Sequence, residues 1–189
     1  SRRIGHVIPH MAMLFRGFAV QITLCRNITR LMRSFPFKPR STVGLVPGDF
    51  WALPLGEGRY GCGRVVALKP SQGTGSRSMF LAALLDWIGG SQPTSEAIAG
   101  RRAIAQGQVH LRCVHETGGL VLGNRPLEYD GIEPAFFLSE SPGRQCMLLR
   151  GYEPIRRATA EEQASLPVFS TWGYLVIARK AEELATHAA

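Results

Sequence analysis

Residues 49–68, DFWALPLGEGRYGCGRVVAL, constrain the fold more than any other stretch of the chain. Two runs rich in aromatic and β-branched residues, Asp49–Pro54 and Tyr60–Leu68, flank a turn with glycines two apart, Gly56 and Gly58. That pattern predicts two strands joined by a three- to five-residue hairpin loop. Gly61 and Gly63 fall inside the second strand. Glycine there predicts a bulge or the close approach of another group. Asp49 and Arg64 are charged positions on an otherwise apolar hairpin, and a buried charge needs a partner. They are expected to form a cross-strand ion pair. Gly56, Gly58 and Gly61 also spell G-x-G-x-x-G, but a dinucleotide fingerprint requires a helix to follow. Here RVVALKP follows, a β-rich run ending in Pro70, and no G-K-[ST] is present for a phosphate loop.

The remaining body alternates strand signals with a few helical ones. Residues 71–78 read as a polar loop. MFLAALLDWIG, Met79–Gly89, is open between a helix and a fully buried strand, because its apolarity is unbroken. Thr94 or Ser95 offers a cap for a short helix. QVHLRCVHE alternates, with Val109, Leu111 and Cys113 on one side, and predicts a half-exposed strand. GGLVLGN, EPAFFLSE and RQCMLLRGYEPI add further strands. Thr159 with Glu162 three residues later forms a capping box, and Pro167 closes that helix. A last helix is predicted from Ser170 or Thr171. The expected class is α+β: an antiparallel, partly barrel-like sheet with one short inserted helix and C-terminal helices.

A chain of 189 residues with 45% hydrophobic residues is long enough for one domain with a real core. Its net charge of +8 is unevenly placed. Residues 1–40 carry eight basic side chains and no carboxylate, whereas the rest carries fourteen basic and fourteen acidic groups. The body is neutral, which removes the main argument for a nucleic-acid-binding body. The division expected is therefore 1–40, a basic leader, and 41–189, a single α+β domain. At about 100° per residue, Arg16, Arg26, Arg30 and Arg33 share one side of the leader, opposite Leu14, Phe18, Leu24, Ile28 and Leu31. Two readings stay open for it: a transit-like or membrane-surface segment, or upstream sequence ahead of a start at Met32. Any contact with a membrane surface would have to be made through residues 1–40. Four widely spaced cysteines, with no C-x-x-C pair, point to free buried thiols in a reducing compartment.

Chemistry-bearing constellations are sparse. Cys113 and His115 lack a second ligand pair at metal-binding spacing, so no metal is expected. No G-x-S-x-G occurs, and Cys113 beside His115 is a neighbour in sequence only. Glu128, Asp130 and Glu133 form the densest acidic run of the body and read as a solvated turn around Asp130-Gly131. No cofactor is called for, and no enzyme is expected.

The hairpin stretch resembles the opening of the immunity protein 26 family of bacterial polymorphic-toxin loci. Gly48, Asp49, Ala52, Pro54, Leu55, Gly63, Arg64 and Val65 carry the likeness, with GGLVLGNRPLEYDGIEPAFF and RRATAEEQASLPVFSTWGYLVIARK further on. The likeness runs over residues 43–180. It implies a cytoplasmic, non-enzymatic protein that binds and blocks a cognate toxin domain. Gly48, Asp49, Pro54, Gly63 and Arg64 would then be a structural signature. Contacts to the toxin are expected from Trp51, Trp87, Glu128, Tyr129, Asp130 and Glu133, since aromatic anchors and steering charges dominate such interfaces. Core packing is the competing reading for both tryptophans. The alternative function is a small β-rich enzyme or ligand-binding domain with a pocket near the Gly-rich hairpin. A third is a nucleic-acid binder that would depend on the leader.

Overall fold

The computed structural model describes residues 33–70, 78–139 and 146–187. The basic leader up to residue 32 and the polar loop at 71–77 lie outside the described residues. The body is a compact unit, Phe35–Ala189. Phe35 and Phe37 pack on its core, and Phe37 exchanges backbone hydrogen bonds with Val121. Residues 35–40, assigned to the leader by charge alone, therefore begin inside this unit.

Nine strands and three helices make up the described residues. The strands are β1 (Asp49–Pro54), β2 (Tyr60–Leu68), β3 (Met79–Gly89), β4 (Ala103–His110), β5 (Val121–Asn124), β6 (Phe136–Leu138), β7 (Met147–Arg150), β8 (Glu153–Arg157) and β9 (Thr171–Trp172). The helices are α1 (Arg112–Glu116), α2 (Ala160–Ser165) and α3 (Val176–His187). A six-stranded sheet runs in the order β5-β1-β2-β3-β4-β9, and a three-stranded sheet in the order β6-β7-β8. Every pairing is antiparallel except β4 with β9. The class is α+β. The larger sheet stays open, with β5 and β9 at its edges, and does not close into a barrel.

Both faces of the large sheet are covered, and this settles the ambiguous run at Met79–Gly89 as a strand. Successive side chains of a strand point to opposite faces. Phe80, Ala82 and Leu84 enter one core with Trp51, Val65 and the α3 residues Ile177, Ala181 and Ala185. Leu81, Ala83, Leu85 and Trp87 enter a second core with Phe50, Ile98, Ile132 and Phe137. A strand buried on both faces has no polar alternation to display, so its sequence is apolar throughout. Among the described residues no helix is long and apolar enough to cross a membrane.

Three local expectations are corrected. The alternating run at 108–116 stops being a strand at His110, and α1 follows. Over so few residues, Leu111 pairs as well with Val114 at helical spacing as with Cys113 at strand spacing, and all three are buried in the same core. Residues 95–100 form turns and no helix. The Ala97 amide still donates to Thr94 Oγ1 at 3.2 Å, but Ile98 is held in the core and Gly100 turns the chain into β4. The last helix starts at Val176, because Thr171 and Trp172 pair with Gln108 and Val109 of β4 first. The capping box at Thr159 and Glu162 is present as expected, and Arg156 holds the Glu162 carboxylate through both its oxygens, its pKa at about 2.

Candidate functional site

The β1–β2 register places Phe50 opposite Arg64, so both side chains share the face of the second core. Asp49, one residue earlier, points to the opposite face. The cross-strand pair expected between Asp49 and Arg64 is therefore not formed, although both are fully buried. Asp49 instead accepts from the Val46 amide at 3.0 Å and from Asn124 Nδ2 at 2.9 Å, tying the entry to β1 to the end of β5. Gly48 completes that tie. Its φ of +92° and the Arg125 carbonyl packed against it leave no room for a side chain. Its amide donates to Val65 O and its carbonyl accepts from the Arg125 amide.

Arg64 finds its partner in Asp130. Nη1 donates to Asp130 Oδ2 at 2.7 Å, and Nη2 donates to the carbonyls of Arg125 and Pro126. Arg125 Nε reaches both oxygens of the same carboxylate, and the Gly100 amide donates to Oδ1 at 2.8 Å. The Asp130 and Arg64 side chains are wholly enclosed. Burial alone would raise the Asp130 pKa, but the bonds from Gly100, Arg64 and Arg125 outweigh it and hold the carboxyl below its usual value. Asp130 is thus a buried anchor, not part of a solvated turn.

That anchor fixes a one-turn 3-10 segment, Leu127–Asp130, which ends at Gly131 in the left-handed region. Leu127 and Ile132 pack into the second core. Glu128 and Tyr129 face outward, and Tyr129 is 68% exposed beneath the Arg125 guanidinium, 5.6 Å from its ring. Glu133 is exposed and pairs with Arg150. Of the expected contact residues, Glu128, Tyr129 and Glu133 are on the surface. Trp51, Trp87 and Asp130 are not: Trp51 is fully buried, donating to Thr117 Oγ1 at 3.1 Å, and Trp87 is 7% exposed.

Next to this turn lies an open groove of about 660 Å³ between β4 and the chain on either side of β6 and β9. Gln106 on β4 links the two features: Nε2 donates to the Glu133 carbonyl and Oε1 accepts from the Ala135 amide. Exposed Ile104, Phe136 and Val168 line the groove with Trp172 and Lys180. The Trp172 ring lies flat over Gly107, where a side chain would collide with it, and Lys180 Nζ is 5.6 Å from the ring on its other contact. Trp172 was missed in the sequence because it was read as the start of a helix. Its signal was context: Ser170, Thr171 and Gly173 flank it directly, whereas Trp51 and Trp87 sit in apolar runs.

The notch at Gly63 is filled by Trp51 and that at Gly61 by Ala181. Cys113 is fully buried, its thiol pushed up to about 12, and His115 Nε2 bonds the Pro39 carbonyl at 2.7 Å. Among the described residues no group of three or more His, Cys, Asp or Glu side chains is placed to hold a metal ion.

The family model of Immunity protein 26 matches residues 46–143, just over half the chain. The chain belongs to the immunity protein 26 family. The match begins at the Gly48 and Asp49 entry, contains the Arg64–Asp130 anchor, and includes Trp51, Trp87 and the exposed Glu128, Tyr129 and Glu133. It is shorter than the likeness read from the sequence, which ran to residue 180. The immunity protein 26 match therefore supplies β4 and the β6 side of the groove, while Val168, Trp172 and Lys180 come from beyond it. No curated protein and no solved structure matches.

Proposed function

We propose that this immunity protein protects the cell that makes it by binding and blocking a cognate bacterial toxin domain, in the cytoplasm and without catalysis of its own. Membership of the immunity protein 26 family carries the reading. What supports it in the geometry is an exposed turn on a firm mount. An aromatic residue and carboxylates, Tyr129, Glu128 and Glu133, project from a turn whose anchor, Asp130, is held by four hydrogen bonds from Arg64, Arg125 and Gly100. A rigid mount lowers the ordering cost of association. The alternative of an enzyme or ligand pocket at the Gly-rich hairpin is disfavoured, since its two inward notches hold Trp51 and Ala181.

The test is to sequence the neighbouring genes and co-express this protein with a toxin domain found there. Growth should be restored, and the two proteins should co-purify. Continued growth arrest, with no complex on a sizing column, would reject the proposal.

A further inference from the structure

β4 is a strand with half an edge. Along its whole length it pairs with β3 on one side. On the other side β9 covers Gln108 and Val109 only. For residues 103–107 the outer edge has no backbone partner among the described residues. Such an edge presents amides and carbonyls to any extended chain laid beside it. Here it also opens into the groove, whose walls carry the half-exposed Ile104, Phe136 and Val168 and the ring of Trp172.

Basic side chains stand at the start of β4 and at the groove. Arg101 and Arg102 immediately precede β4, Arg150 lies over the Phe136 ring, and Lys180 is in the wall. Asp86 neutralises Arg102 and Glu133 neutralises Arg150. Arg101 and Lys180 have no carboxylate partner among the described residues.

From these observations we infer that the groove takes an extended segment of the toxin, added as a strand to the free edge of β4. Its apolar side chains would seat between Ile104, Phe136 and Trp172, and a carboxylate would meet Lys180. Main-chain bonds supply affinity in this mode, and the side-chain seats supply selectivity. The inference rests on the proposed function, and it adds a site continuous with the Tyr129 turn through Gln106.

The experiment uses the full chain and a catalytically inactive variant of the toxin domain that the co-expression test identifies. Hydrogen exchange is followed with and without the toxin, and affinity is measured for wild type, Ile104→Asp, Phe136→Asp and Lys180→Glu. All three positions border the groove, so thermal melting should be unchanged. The expected result is new amide protection at residues 103–107 in the complex. The two aspartate variants should bind on the order of 30-fold more weakly, as for loss of a strong interface anchor. Tight binding by wild type with no protection at 103–107 overturns the inference and leaves the proposed function standing. Protection there that grows with protein concentration, without toxin, assigns the edge to a second copy and also overturns it. If wild type does not bind the toxin domain, the proposed function falls and the inference with it. Should a variant fail to fold, the exchange result on wild type decides alone.

Discussion

Arg64 and Asp130 come from positions 66 residues apart and meet where no water reaches. Removing one partner of a buried pair strands the other charge. Arg64→Met should therefore destabilise the fold by about 3 kcal/mol in urea unfolding, near the low end of the range for such losses, because Arg125 and Gly100 still hold the carboxylate. The same carboxylate makes stability pH-dependent. Its folded pKa lies below the unfolded value, so the folded state binds fewer protons. The stabilisation is complete above the unfolded pKa of about 3.9 and is lost as pH falls through the lower, folded one. Acid unfolding followed by circular dichroism should accordingly steepen below about pH 4, and Asp130→Asn should flatten that limb. Tyr129→Ala makes a useful contrast. With its side chain outside the core, it should leave stability within about 0.5 kcal/mol and lower toxin affinity by about tenfold or more.

The β1–β2 hairpin depends on two packed notches in β2. A methyl group at Gly63 would enter the Trp51 ring, which is itself fully buried and cannot swing away. Gly63→Ala should cost about 1–3 kcal/mol, the usual penalty of overpacking, measured as a lowered urea midpoint with unchanged slope. The sequence made this hairpin legible down to its terminal residues, because glycine and proline punctuate it at Pro54, Gly56 and Gly58. It also made the Thr159 capping box legible, since its signal is entirely local. What it could not convey was which face each residue would meet. Asp49 and Arg64 look like partners on paper, but register sends them to opposite faces, and Asp130 arrives from 66 residues further along the chain. For the same reason two tryptophans proposed as contacts are core. Burial of Trp51 and Trp87 is decided by α3 and by residues 127–137, which no local pattern connects to them.

Across the whole molecule the sheet is a shared wall between two cores, and β3 stands at its centre. It has hydrogen-bonded neighbours on both sides and buried side chains on both faces. Its amides should open only with global unfolding. Native-state hydrogen exchange is expected to rank residues 80–85 slowest, and the exposed β8 among the fastest. Fast exchange in β3 would mean that the two cores do not unfold as one.

The placement of the three tryptophans gives this protein an optical property of its own. Trp51 and Trp87 are sealed in the two cores, so an aqueous quencher such as iodide should scarcely reach them. Trp172 stands beside the groove under a lysine ammonium, partly open to solvent. Quenchable emission should therefore come mainly from this one ring. A chain settling along β4 would shield it, and occupancy of the groove could be followed by fluorescence without attaching a label.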